Sequence, residues 1–314
     1  MAGNMFISAQ DVEANLTWRE VVDAIDEGHA AQRARVDDLV LARGDRSLLN
    51  RGAWIPGLGI GLKTVTVFPD NPGRTPARPT VQGVFVAFDS DTGAVRAVIQ
   101  GDAITDWKTA ADSVLGARYL ARPDSSGLLV LGAGRVARNL VTAYRAIFPG
   151  LGRIAIWNRS PAKAAALAEA LAAEGHPATA TSDLAAALAS ADIVASATAS
   201  PAPVIDGHAL KPGTHVDLIG AYRADMREAD DTVLRRGELF VDSRETTLHH
   251  IGDLKIPLEQ GVIRESDVRG DLYDLRAGHA GRSGADAITV FKNGGGAHLD
   301  LMVADLIVRN LCAG

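Results

Sequence analysis

The run Gly132-Ala133-Gly134-Arg135-Val136-Ala137 follows the apolar stretch Leu128 to Leu131 without a gap, and a helix-compatible segment from Ala137 to Phe148 comes directly after it. A strand that turns through G-x-G-x-x-A into a helix narrows the fold more than any other feature of this chain. The first glycine permits a tight turn. The second lets backbone approach a ligand with no Cβ in the way, and the small Ala137 allows the helix to pack closely on the strand. The helix N-terminus turns N–H groups and the positive end of its dipole toward the turn, which suits a pyrophosphate. Backbone at Gly132, Ala133, Gly134, Arg135 and Val136 is therefore expected to hold a dinucleotide.

The surrounding pattern supports this. Ile154 to Trp157, Asp192 to Ser196 and His215 to Ile219 are further short apolar strands, with alanine-rich helical stretches over 161–173 and 183–190 between them. Strands that alternate with helices form a parallel sheet covered on both faces. The expected fold is α/β, a Rossmann-type doubly wound sheet over residues 121–287. The rest, 1–120 with 288–314, is expected to form a smaller α+β domain. Residues 7–40 read as a helical entry capped by Ser8 or Asn15. The alternation over 51–100 reads as a mostly antiparallel sheet, 105–121 as a helix capped by Thr105, and 284–311 as a strand from Ile288 followed by a helix from His298.

The second strand of the parallel sheet ends in Trp157-Asn158-Arg159-Ser160. NAD-preferring sites place an acidic residue here to bind the ribose 2′-hydroxyl, and this chain has none. Asn158, Arg159 and Ser160 instead offer donors and positive charge to a 2′-phosphate, which favours NADP(H) over NAD(H). Thr198 and Asn293 complete the expected cofactor set, with the glycines after Asn293 giving bare backbone beside the nicotinamide.

Charge and composition exclude other classes. The net charge is −6 with charged residues at 22%, so no basic excess invites nucleic acid. No apolar run reaches membrane-spanning length, and the N-terminus lacks a signal-peptide core. One cysteine, Cys312, forms no internal disulfide, which suits a reducing cytoplasm. Neighbouring residues on a strand face opposite ways, so on that reading His249 and His250 do not form a metal site.

Several segments together resemble the ornithine cyclodeaminase/mu-crystallin family: Gly61-Leu62-Lys63-Thr64-Val65, Asp106 to Ser113, the glycine turn, Gly220 to Glu228, and Phe291-Lys292-Asn293-Gly294-Gly295-Gly296-Ala297-His298. The resemblance implies a homodimer with a nicotinamide cofactor and a small imino- or amino-acid substrate, with the smaller domain serving substrate binding and dimerisation. It places Lys63 at the substrate, and Lys63, or a water it holds, is the candidate for proton delivery to the imine nitrogen. It also implies an arginine ahead of the small sheet, nearest Arg43, with Arg46 and Arg51 as alternatives. Lys108 stands where the family has arginine. Tyr222 stands where cyclodeaminases have an aspartate, and Asp225 lies three residues later. A phenol is a poor base at neutral pH, so cyclodeamination is disfavoured. The resemblance implies a reductase of small cyclic imino acids or ketimines, such as Δ1-pyrroline-2-carboxylate. The alternatives are an ornithine cyclodeaminase, an alanine-type dehydrogenase, and a mu-crystallin-like NADPH-binding protein with little turnover. His298 reads equally well as a proton shuttle or as a packed helix-start residue.

Overall fold

The computed structural model describes residues 5–312, and the side chain of Cys312 lies outside what is described. The chain forms two compact units, one of residues 1–108 with 296–314 and the other of residues 109–295.

The first unit begins with β1 (Met5–Ile7), α1 (Ala9–Ala14) and α2 (Trp18–Gly28). Ser8 caps α1 as expected, but Asn15 ends that helix and Thr17 caps the next, each cap reinforced by an acidic side chain three residues on. The helical entry stops there. Residues Arg35–Arg43 form a strand, β2, which hairpins onto β3 (Arg46–Ile55). Its exposure on both faces erased the alternation that marks a half-buried strand. β4 (Gly59–Val67), β5 (Val81–Phe88) and β6 (Val95–Gln100) continue the antiparallel meander, and β1 adds in parallel at the β6 edge. A helix, α3 (Gly101–Leu120), follows, and the C-terminal helix Ala297–Cys312 lies on the inner face of the sheet and against α2. Thr105 is an interior residue of α3 rather than its cap, because the helix starts four residues earlier.

The second unit holds an eight-stranded parallel sheet of β7 (Gly127–Leu131), β8 (Arg153–Trp157), β9 (Ala178–Ala180), β10 (Ile193–Ser196), β11 (His215–Leu218), β12 (Gly237–Val241), β13 (Val268–Gly270) and β14 (Ile288–Lys292). Their spatial order is β13-β12-β14-β11-β10-β7-β8-β9. The helices α4 (Arg135–Ile147), α5 (Pro161–Ala173) and α6 (Leu184–Ser190) match the expected segments. β14 lies between β11 and β12, inside the parallel sheet, although the boundary expected at residue 288 had assigned it to the smaller domain. All five of its residues are buried, as a strand covered on both faces requires. Three strands were not anticipated. β9 and β13 have three residues each, and β12 carries a glutamate, so none shows a readable apolar run. Strand order reverses between β7 and β10, which opens a crevice at their C-terminal ends. Among the described residues, no helix is long and apolar enough to cross a membrane.

Candidate active site

The glycine turn sits at that crevice. Gly132 has φ of 119°, and its N–H donates to the Trp157 carbonyl at 2.8 Å. A Cβ on it would lie 2.7 Å from the Ala197 carbonyl oxygen. Gly134 differs: it is the N-cap of α4, no side chain caps the helix there, and a Cβ on it would meet nothing within 4 Å. The open space beside Gly134 and the uncapped helix start are the cradle a pyrophosphate needs. Fully buried Ala137 lets α4 press onto β7.

A 350 Å³ cavity runs from Gly132, Ala133 and Gly134 past Asn158, Arg159 and Ser160 to Thr198. Trp157, Lys163 and the stretch 197–200 also line it, and no carboxylate does. These residues fit a dinucleotide. Lys163 was missed because the strand-end reading stopped at Ser160; it lies in the first turn of α5. Arg135 and Val136 open α4 but do not line the cavity. Asn293 lies outside it, with its amide donating to Thr109 O at 3.0 Å and Ser113 Oγ at 2.9 Å. The glycines after it serve a different contact from the one expected: the Gly294 and Gly295 N–H groups donate to Asp242, and a Cβ on Gly294 would lie 2.2 Å from Thr247 Oγ1. A larger 500 Å³ cleft lies at the N-terminal ends of β7 and β8, the side of an open α/β sheet that does not bind ligands.

Thr198 is positioned by Glu228, a residue the sequence reading did not single out. The buried Glu228 carboxylate accepts from Thr198 N at 2.7 Å, Thr198 Oγ1 at 2.8 Å and Gly220 N at 2.6 Å. Burial and the charge of Asp253 push its pKa up to about 7. It ties the loops after β10 and β11 together, and Lys292 reinforces them by donating to Leu218 O and Ala221 O. Beyond these loops, Tyr222 is 66% exposed. Asp225 is paired with Arg223 at 2.8 Å on the same exposed stretch.

The first unit gathers the cations. Lys63 on β4 donates to Thr105 Oγ1 at 2.6 Å and to Asp300 Oδ1 at 3.2 Å. Lys108 on α3 reaches Asp300 Oδ2 at 3.4 Å and the Gly296 carbonyl at 3.3 Å. The arginine beside them is Arg51, the register partner of Lys63 on β3, which is bonded to Asp38 at 2.9 and 3.1 Å. Arg43 is not there: it pairs in register with Arg46 at the far end of the hairpin, about 17 Å away along the strand. Arg46 is tied to Asp70 at 2.6 Å. The hairpin register decides this, and the sequence does not display it.

Asp300 is fully buried. Burial pushes its carboxyl up, but Lys108, Lys63 and Arg51 outweigh that and hold it below the usual carboxylate range, so it carries charge. Only its arrival from the C-terminal helix brings it to the lysines, and no local pattern signals it. His298 is 2% exposed and meets the His29 ring edge-on at 5.8 Å. Burial, with the charges of His29 and Lys108, holds it well below its ordinary 6.5. Its burial disfavours the charged form and fits the packed helix-start reading. His249 lies in a turn, not on a strand, and pairs with Glu265 at 3.2 Å. Among the described residues no three His, Cys, Asp or Glu side chains group for a metal.

The sequence model of the ornithine cyclodeaminase/mu-crystallin family matches residues 3–314. A Delta(1)-pyrroline-2-carboxylate reductase from Paracoccus denitrificans is 52% identical over 305 residues, covering 97% of this chain and 96% of the relative. The structure of Thermococcus litoralis Delta(1)-pyrroline-2-carboxylate reductase with NADH and L-proline superposes with a TM-score of 0.90 at 27% identity, over 98% of each chain. An archaeal alanine dehydrogenase dimer with bound NAD gives 0.90 at 26% identity, over 99% of this chain and 96% of the other.

Proposed function

The chain belongs to the ornithine cyclodeaminase/mu-crystallin family, and on that premise we propose that it is an NAD(P)H-dependent oxidoreductase that reduces a small cyclic imino acid or ketimine, such as Δ1-pyrroline-2-carboxylate to proline. The observation that carries this is the pair of lysines, half-buried Lys63 and buried Lys108, sharing one buried aspartate. Such a cluster retains positive charge in a dry place and suits the carboxylate of a small acid.

When bound, the nicotinamide cofactor supplies the hydride. Gly132 to Gly134 and the start of α4 hold its pyrophosphate, and Thr198 borders the same cavity. Lys108 and Lys63 hold the substrate carboxylate, and Lys63 hands a proton to the ring nitrogen as the C=N carbon takes up hydride. Imine, hydride and one proton make the amine, so no group needs to pull a proton from an amine in this direction. The lack of a carboxylate at Tyr222 therefore costs the reduction little.

The deciding experiment mixes purified protein with NADPH and Δ1-pyrroline-2-carboxylate and follows absorbance at 340 nm. Oxidation without added ammonia is expected. The alanine dehydrogenase among the structural relatives supports a second reading, an open-chain dehydrogenase, which would oxidise NADPH only with pyruvate and ammonia together.

The cofactor preference we propose is NADP(H), supported by Arg159 and Lys163 at the cavity and the absence of a lining carboxylate. Arg159→Ala is expected to raise KM for NADPH by at least about tenfold and leave KM for NADH nearly unchanged. Equal changes for the two cofactors would remove the 2′-phosphate role.

We also propose a homodimer. The outer face of the six-stranded sheet carries Phe6, Leu39, Leu41 and Trp54, exposed by 60, 57, 56 and 49%, and strand register places all four on that one face. A contiguous apolar sheet face marks an interaction surface. Light scattering is expected to give the mass of two chains, and Leu39→Glu with Trp54→Glu the mass of one.

A further inference from the structure

The cation cluster is organised around a residue that need not touch substrate. Asp300 offers one carboxylate oxygen to each lysine, Oδ1 to Lys63 at 3.2 Å and Oδ2 to Lys108 at 3.4 Å. It comes from the C-terminal helix, while Lys63 comes from β4 and Lys108 from α3, so three elements meet at one carboxylate. Each lysine has a second acceptor on another element. The Thr105 hydroxyl donates to the Gly101 carbonyl at 2.9 Å, which leaves its oxygen to accept from Lys63, and Lys108 leans on Gly296 O. We propose that Asp300 is the positioning residue of the substrate site, holding the Lys63 and Lys108 ammonium groups at a fixed separation so that one substrate carboxylate meets both. This rests on reading the cluster as the substrate site.

Three physical points carry the inference. Two buried ammonium groups near one another repel, and a carboxylate between them cancels that repulsion. A fully buried carboxylate with no counter-charge is costly, so Asp300 is held in place by the lysines as much as it holds them. The two pairings lie at the long end of the hydrogen-bond range.

Asp300→Asn removes the charge and turns an amide N–H₂ toward one lysine. The expected result is a rise in KM for Δ1-pyrroline-2-carboxylate of at least about thirtyfold, with the Kd for NADPH within about twofold of wild type. In a Lys63→Met background the same substitution should cost less than about threefold, since a residue that acts through the lysines has less left to act on. Asp300→Glu keeps the charge and the fold but shifts the oxygens; it should raise KM about tenfold with little change in melting temperature. If Asp300→Asn does not fold, Asp300→Glu decides the matter. An unchanged KM in Asp300→Glu or an equal cost in both backgrounds overturns the proposal. L-Proline affinity by calorimetry on the same variants reads carboxylate holding without turnover. A wild type that binds L-proline in an Asp300-dependent way but reduces no imine would sink the function and keep this inference.

Discussion

Lys63→Met should lower kcat/KM for the imino acid by about a thousandfold, while the Kd for NADPH stays within about twofold of wild type. Two losses combine in that figure. A buried charge-assisted contact to the substrate carboxylate is worth about 2–5 kcal/mol when one partner is truncated. Proton delivery to the nitrogen is worth a further factor of about 10² or more. The two are not fully additive, because one side chain supplies both. Methionine keeps the length of the lysine stem, and the Lys63 side chain is only 11% exposed, so packing on β4 is largely retained. Asp300 remains charged against Lys108 and Arg51. Stopped-flow turnover and fluorescence titration of NADPH check the two halves separately. Matching losses in turnover and in NADPH binding would mean that Lys63 supports the fold and not the chemistry.

Gly134→Val should weaken NADPH binding by more than about a hundredfold and leave the melting temperature within about 3 °C of wild type. At Gly134 a Cβ meets nothing within 4 Å, and the backbone is extended, with φ of −95° and ψ of −172°, which valine adopts without strain. The added methyl groups therefore enter the space proposed for the pyrophosphate. Gly132→Ala is the contrasting control. Its Cβ would lie 2.7 Å from a backbone oxygen, at a φ of 119°, so the cost should appear as about 1–3 kcal/mol of lost stability before any ligand is added. Calorimetric titration and thermal unfolding of both variants separate the two effects. A Gly134→Val protein that binds NADPH normally would place the pyrophosphate elsewhere.

The features that were legible in the residues are the local ones. The G-x-G-x-x-A turn, the strands around Leu129, Ile156, Val194 and Val216, and the helices over 161–173 and 184–190 are each encoded by a few neighbouring residues, and each appears in the structure. β2 was not legible, because a strand exposed on both faces has no alternation to read. Nor were β9 and β13, since three residues make no pattern. Lys63 and Lys108 were singled out through the family resemblance, and they meet at one carboxylate. Arg43 was singled out in the same way and lies at the wrong end of its hairpin.

By itself the sequence determined the backbone chemistry of the glycine turn: a glycine where no Cβ fits and another beside open space, followed by a helix start that presents N–H groups. Those properties depend on residues adjacent in the chain. Tertiary structure decided which charged groups share a site. Pairing of β3 with β4 sets Arg51 beside Lys63, packing of the C-terminal helix on the sheet delivers Asp300 to both lysines, and burial disfavours the charged form of His298. Electrostatic energy depends on distance through space and on the loss of solvent. Neither is written in any short stretch of residues, so the arrangement of charges becomes visible only once the chain has folded.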